Sequence, residues 1–334
     1  FQFDYRNLGF WRLFNKNQTK SLIPDLFDYF IGCARYHFLP SGGTMNKVIL
    51  INKPSGMTSH DVVNRLRKIF GIKRIGHTGT LDPLARGLLV VCLGEATKLV
   101  PFLEQDDKVY DVEIMLGKAT STGDLAGEVV AEALVPNFSP EIIDQVLGQF
   151  TGEIVQTPPK YSAIKVEGKK LYEYARKNQA VEIPQRTVKI FRLERTSELD
   201  YRDGLCTFRF VAHVSKGTYI RTLCEDIAKA LELPGVMSDL VRIRCGKFHL
   251  SDASTLEEAE QNKLRFIPML EALNLPVITV TEDMLKRVKN GMVLPAERFK
   301  EKLSQFAIAD EGKLLAIYQF EENKNVYKAV RIWL

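Results

Sequence analysis

The 334-residue chain contains no apolar run near the length of about 20 residues that a helix needs to cross a bilayer. Cysteine is scarce: Cys33, Cys92, Cys206, Cys224 and Cys245 are odd in number and scattered, with no C-x-x-C pair and no cysteine–histidine cluster at metal spacing. That pattern excludes a disulfide framework and fits a reducing cytoplasm. Neither G-x-G-x-x-G nor G-x-x-x-x-G-K-[ST] occurs, so no dinucleotide or P-loop site is argued for. The five histidines, His37, His60, His77, His213 and His249, form no H-E-x-x-H. No metal or other cofactor is expected. Charge of one sign is also lacking: the net value of +5 permits a polyanionic partner without demanding one. With 45% hydrophobic, 26% charged and 10% aromatic residues, disorder throughout and a collagen-like repeat are excluded. At about 100–200 residues per domain, the length allows two domains or one large domain with an appendage.

Residues 1–44 differ from the rest. They hold eleven aromatic residues, against 21 in the remaining 290. The first methionine is Met45, preceded by Pro40-Ser41-Gly42-Gly43-Thr44. Adjacent glycines can be encoded by GGAGGN, a ribosome-binding purine tract at a sensible distance from a start codon. The segment is therefore expected to be translated upstream sequence, with Met45 as the start. The competing reading is a genuine appendage. Leu22–Arg35 could form a short helix, but the serine and arginine bias of a transit peptide is missing.

Beyond Met45, Val48–Ile51 reads as a buried strand followed by a turn at Lys53-Pro54-Ser55-Gly56. Thr58 or Ser59 caps a helix with Val62, Val63, Leu66, Ile69 and Phe70 inward, and Gly71 stops it. Leu88–Leu93, Asp111–Leu116 and Leu205–Val214 read as strands, the last two alternating. Ser139-Pro140-Glu141 opens a helix carrying Ile142, Ile143, Val146, Leu147 and Phe150, and a further helix carries Ile220, Leu223, Cys224, Ile227, Ala228 and Leu231. The irregular interleaving predicts an α+β domain on a mixed sheet rather than a doubly wound one. Near Leu275-Pro276 the texture changes to a small β-rich module: Val277–Val280, a helix from Thr281 to Asn290, then Phe306–Ala309, Leu314–Phe320 and Val326–Trp333.

Three stretches could carry chemistry. Gly76–Gly87 packs three glycines, Pro83 and several hydrogen-bonding side chains before a buried strand. Asp82 is held out of the α region by Pro83. Both an ordinary glycine-rich turn and a site built for close approach fit it. Arg221 falls in the first turn of its helix, where a cation opposes the helix dipole and should meet an anion. A surface pair with Glu225, worth only about 0.3–0.5 kcal/mol, is the plainer reading. Lys160–Arg192 holds nine Lys or Arg against Glu167, Glu173 and Glu182, with Tyr161, Tyr172 and Tyr174 interleaved. That suits phosphate contacts plus base stacking, and equally a solvated helix face.

Taken in order, the motifs resemble the bacterial tRNA pseudouridine synthase B family, which isomerises uridine 55 in the T-arm of tRNA. The resemblance covers essentially all of Met45–Leu334 and none of 1–44. It rests on Asn52-Lys53-Pro54-Ser55-Gly56-Met57-Thr58-Ser59, Gly76-His77-Thr78-Gly79-Thr80-Leu81-Asp82-Pro83, Gly94-Glu95-Ala96-Thr97-Lys98 and Lys108-Val109-Tyr110. Thr122-Gly123-Asp124, Pro158–Ala163, Gly168-Lys169-Lys170-Leu171-Tyr172, Ser215–Leu223 and Leu240-Val241-Arg242 complete it.

The resemblance implies Asp82 as nucleophile, Arg221 paired with it, and Tyr110 stacked on the target base. It implies His77 in the space vacated by flipped bases, and Tyr219, Leu240, Lys53, Lys98, Asp124 and Arg242 as further substrate-binding residues. An RNA-gripping insertion, with Lys169 and Lys170, is expected at about 156–192. Residues 45–274 would form the catalytic domain and 275–334 a PUA-like RNA-binding barrel. The implied partner is the tRNA T-arm stem-loop, with no membrane, protein partner or guide RNA. Two rivals stand beside this expectation: a catalytically silent RNA-binding or RNA-folding protein, and a glycosidic-bond hydrolase, which would need paired carboxylates.

Overall fold

The computed structural model describes residues 45–333 apart from Ala163 and Asn178, so the expectation for residues 1–44 lies outside the described residues. An eleven-stranded mixed sheet forms the body. Its main path runs Ile267–Pro268, Lys47–Lys53, Arg86–Leu93, Gly235–Cys245, Lys108–Leu116, Leu205–Val214, Arg186–Arg195 and Gly152–Gln156. Neighbours along this path are antiparallel except Arg86–Leu93 and Gly235–Cys245, which pair in parallel through Val241 with Arg86 and Arg242 with Gly87. The expected α+β architecture on a mixed sheet is what forms.

Alternation decides which face is covered. Val112, Ile114 and Leu116 share one buried side with Cys206, Phe208, Phe210, Ala212 and Val214. Helices Pro140–Gln149 and Ile220–Ala230 close over it with Ile143, Val146, Leu147, Leu223, Cys224 and Ile227. Ile142, on the first of these helices, is exposed. Helix Ser59–Phe70 starts at a capping box between Thr58 and Asp61 and stops at a left-handed Gly71. Its Val62, Val63 and Leu66 pack on Ile49, Ile51, Leu89 and Val91. No helix among the described residues is long and apolar enough to cross a membrane.

Two further features position the site. Between Gln156 and Arg186 lie a small hairpin, Lys165–Val166 with Lys169–Lys170, and the short helix Leu171–Arg176. Arg186, Lys189 and Arg192, part of the basic stretch, stand on a strand of the main sheet rather than in this protruding segment. The C-terminal residues form a five-stranded sheet with helix Glu282–Lys289 and a core of Met284, Val288, Phe306, Tyr318 and Tyr327. Ala307, Leu314, Ile317 and Trp333 are buried in one cluster with Leu99, Leu103, Ala272 and Leu273 of the body.

The parallel contact depends on Gly87. Its φ is +102°, and a Cβ there would lie 2.5 Å from the Arg242 carbonyl oxygen. Both the backbone conformation and the space exclude a side chain. Gly87→Ala should lower unfolding free energy by about 1–3 kcal/mol. Urea unfolding checks this, and an unchanged midpoint would show that the two strands can part without cost.

Candidate active site

Asp82 sits in the loop between strands Ile75–His77 and Arg86–Leu93. Apolar neighbours anchor that loop on either side: Leu81 and Ala85 are both buried in the core under the sheet. Polar side chains then fix its backbone. Ser59 Oγ accepts from Leu81 N at 2.9 Å and donates to Leu81 O at 3.2 Å. Arg242 donates to the carbonyls of Leu88 at 2.7 Å and Gly79 at 3.1 Å. Lys53 Nζ donates to the carbonyls of Met57, Pro54 and Pro83 at 2.6, 2.9 and 3.2 Å.

Arg221 meets this loop from the first turn of helix Ile220–Ala230. Its Nε lies 2.9 Å from Asp82 Oδ2, and one terminal nitrogen donates to Asp82 Oδ1 at 3.3 Å. The same guanidinium donates to the Tyr161 carbonyl at 3.0 Å and the Thr122 carbonyl at 2.9 Å. The side chain of Arg221 is only 6% exposed, while that of Asp82 is 34% exposed. One partner is therefore structural in its burial and the other remains open to a ligand. The plainer pairing of Arg221 with Glu225 does not form; Arg221 takes Asp82 across the fold. Asp124 lies behind the pair, 4.0 Å from Arg221 Nε, and accepts from Thr122 Oγ1 and Ala126 N.

A cleft of about 850 Å³ opens over Asp82, lined among others by Tyr110, Tyr219, Arg221, Leu240 and Arg242. These six expected residues are brought together. His77 adjoins the cleft beside the lining Thr78, and its Nδ1 accepts from Gly79 N at 3.3 Å. The other expected residues do not line the cleft. Lys53 and Asp124 are buried behind it, holding backbone. Lys98 pairs with Glu95 and donates to the Ile332 carbonyl at 3.2 Å, at the seam with the C-terminal sheet. Lys169 and Lys170 lie on the protruding hairpin, with Lys169 Nζ 5.9 Å from the Tyr174 ring centroid. Gln156 escaped the sequence reading. Its buried amide both accepts from Tyr219 N, at 3.0 Å, and donates to Tyr219 O, at 3.2 Å. A glutamine whose partners are backbone groups leaves no motif to find.

Burial sets the ionisation of the site. It raises the Asp82 carboxyl above the usual aspartate range, with Asp124 acting in the same direction and the Arg221 guanidinium opposing. It raises the Tyr110 phenol and lowers the His77 imidazole. Lys53 is pulled down to about 8, burial outweighing the attraction of Asp82. Chemically, the arrangement offers a partly exposed carboxylate, oriented by a guanidinium, in a cleft where Tyr110, Tyr219 and Leu240 stand beside Glu104 and several cations. It could attack or deprotonate a bound group.

The fold is shared with solved structures. The crystal structure of a Cbf5-Nop10-Gar1 complex matches with a TM-score of 0.63 and 26% identity over 87% of this chain and 85% of that one. The structure of an H/ACA RNP bound to a substrate RNA containing 2′-deoxyuridine matches with a TM-score of 0.65 and 24% identity. The fold is thus that of the Cbf5/TruB pseudouridine synthases. Residues 67–220 match the TruB family pseudouridylate synthase N-terminal domain, and residues 221–277 the tRNA pseudouridylate synthase B C-terminal domain. tRNA pseudouridine synthase B of Halalkalibacterium halodurans is 43% identical over 290 residues, 84% of this chain and 95% of that protein. That of Streptococcus pneumoniae is 42% identical over 296 residues, 86% and 100% of the two chains. The chain belongs to the TruB family.

Lys53 yields a prediction about the loop. Lys53→Met leaves three carbonyls without their donor and should cost about 1–3 kcal/mol of stability. Between about pH 8 and the ordinary lysine value of 10.5, the folded wild type has released a proton that the unfolded chain keeps. Wild-type stability therefore gains with rising pH in that window, and the variant lacks this gain. Denaturant unfolding of both proteins at pH 7 and pH 10 tests both statements.

Proposed function

We propose that this protein converts uridine 55 of the tRNA T-arm stem-loop into pseudouridine, with Asp82 as the reacting carboxylate. Pseudouridine formation in tRNA is the activity its TruB relatives are named for. The observation that carries the residue assignment is the half-open Asp82 carboxylate held by buried Arg221 in the cleft.

The reaction breaks the N1–C1′ bond, turns the uracil and joins C5 to C1′; C5 gives up its proton to solvent and N1 takes one up, so atoms balance with no oxidant or co-reactant. The Asp82 carboxylate can trap C1′ or C6, or assist removal of the C2′ proton. Reaching the base inside a folded loop requires flipping the nucleotide into the cleft. Tyr110 would stack on it there, with Tyr219 and Leu240 completing the walls and His77 filling the vacated space. Lys169 and Lys170, on the protruding segment, and the C-terminal sheet, as a PUA-like module, would hold the RNA. Residues 45–274 would form the catalytic domain. In this reading the chain acts in the cytoplasm on its own, without cofactor, guide RNA or partner protein.

The rivals have less support. A silent RNA-binding protein has no need of an accessible carboxylate beside a buried guanidinium. A hydrolase needs a second, positioned carboxylate at the scissile bond; Asp124 is turned to backbone and does not line the cleft, and Glu104, which does line it, makes no ion pair among the described residues that would orient it.

Asp82→Asn keeps the shape but can neither attack nor accept a proton. It should abolish tritium release from C5-labelled uridine in a T-arm RNA while retaining most RNA affinity, since phosphate contacts dominate binding. Wild-type turnover by this variant would refute the assignment; uracil release with a matching mass loss would point to hydrolysis.

Single-turnover rate should also fall on the acid side at a pH above the ordinary aspartate value of about 3.9, because burial raises Asp82. Arg221→Gln removes the opposing charge and should move that limb to still higher pH. Arg221→Lys keeps the charge but loses the planar fork, so its rate should drop as well. A full rate in Arg221→Lys would show that the paired geometry is irrelevant.

A further inference from the structure

Most cations that line the cleft already have acceptors in the protein. Lys108 donates to the carbonyls of Glu104 and Asp106, and Lys216 to the Gln105 side chain. Arg221 holds Asp82, and Arg242 holds the Leu88 and Gly79 carbonyls. Arg186 differs. It lines the same cleft, makes no ion pair or hydrogen bond through its side chain among the described residues, and its Nε is buried without a partner.

The guanidinium is nevertheless held in place. It lies 5.7 Å from the centroid of the Tyr219 ring, and Tyr219 is itself fixed through its backbone by Gln156. Gln156 is the residue opposite Arg186 on the neighbouring strand. On the other side, Gly217 leaves room for it: a Cβ there would meet an Arg186 terminal nitrogen at 3.0 Å. A partly buried guanidinium beside an aromatic ring, its Nε shut off from water, has lost solvent there without gaining an acceptor. An arriving oxyanion that accepts two parallel hydrogen bonds restores what is missing.

We infer that Arg186 is a phosphate-binding residue of the cleft, presenting its fork to a backbone phosphate of the RNA strand that carries the reacting nucleotide. The inference rests on the reading of the substrate as RNA. It assigns Arg186 to gripping the strand beside the flipped base, and leaves the chemistry to Asp82.

The test uses the full chain and a T-arm stem-loop RNA. Arg186→Gln should weaken binding about tenfold and lower the slope of log affinity against log salt by about 0.7–0.9, the value for one phosphate contact. KM should rise about tenfold while kcat falls less than about threefold. Arg186→Lys should keep the salt slope and lose part of the affinity.

A methylphosphonate scan of the linkages flanking the target uridine locates the contact. Wild type should lose about tenfold at one linkage, where Arg186→Gln loses less than about twofold. Equal losses in wild type and variant at every linkage would overturn the inference, as would an unchanged salt slope or a loss confined to kcat. Should Arg186→Gln fail to fold, the wild-type scan decides: no loss near tenfold at any linkage flanking the target uridine overturns the inference. Product analysis of wild type separates the two readings. Pseudouridine without linkage coupling sinks this inference alone; coupling without pseudouridine sinks the functional reading alone.

Discussion

A guanidinium almost completely removed from water must be matched group by group, and Arg221 imposes that demand on every wall of the cleft. Its N–H groups reach Asp82, the Thr122 carbonyl and the Tyr161 carbonyl. The aspartate loop, the Thr122 turn, the base of the protruding segment and the helix start therefore share one anchor. Leaving any of these acceptors out would strand a buried charge, which costs far more than a surface pair gains. The pairing also explains how Asp82 can be open to a ligand without wandering. Its exposed side is free because its other side is tied to something that cannot move.

The backing of the Asp82 loop follows the same logic with less obvious partners. Lys53 and Arg242 are both buried, yet neither pairs with a carboxylate; they donate to main-chain carbonyls on opposite sides of the loop. Ser59 adds a reciprocal pair of bonds to Leu81. A loop with three glycines would be a poor platform for a reacting group unless its carbonyls were claimed. Here the flexibility that lets the chain turn sharply is removed by side chains arriving from three separate elements.

This division of labour explains what could be read from the sequence. Leu205–Val214 and Lys108–Leu116 are covered on one face only, so burial alternates and period-2 patterning reveals them. Helix Ser59–Phe70 carries its own start and stop chemistry in Thr58, Asp61 and Gly71. The central strand Gly235–Cys245 escaped because two bulges, between Met237 and Asp239 and between Arg242 and Arg244, break its alternation. Arg186–Arg195 was hidden by its charges and by a register shift near Phe191. In the site, Asp82, Tyr110 and Arg221 belong to ordered motifs and were legible through resemblance. Lys53 and Lys98 also belong to those motifs, but a lysine looks the same in sequence whether its ammonium faces a ligand or a carbonyl. Only the fold reveals the acceptor.

Lys98 shows where that ambiguity leads. Trp333 donates its indole N–H to the Glu95 carbonyl at 3.1 Å, and Lys98 lies against the same ring while reaching the Ile332 carbonyl. The Gly94–Lys98 motif thus fastens the last strand to the body, next to a hydrophobic cluster that both share. A joint of that kind ties the C-terminal sheet to the body by side-chain-to-backbone bonds as well as by apolar burial. Net charge is a weak guide to a surface that holds nucleic acid. What distinguishes a gripping cation from a structural one is whether the folded chain has already supplied its acceptor, and along the cleft that criterion separates Arg186 from its neighbours.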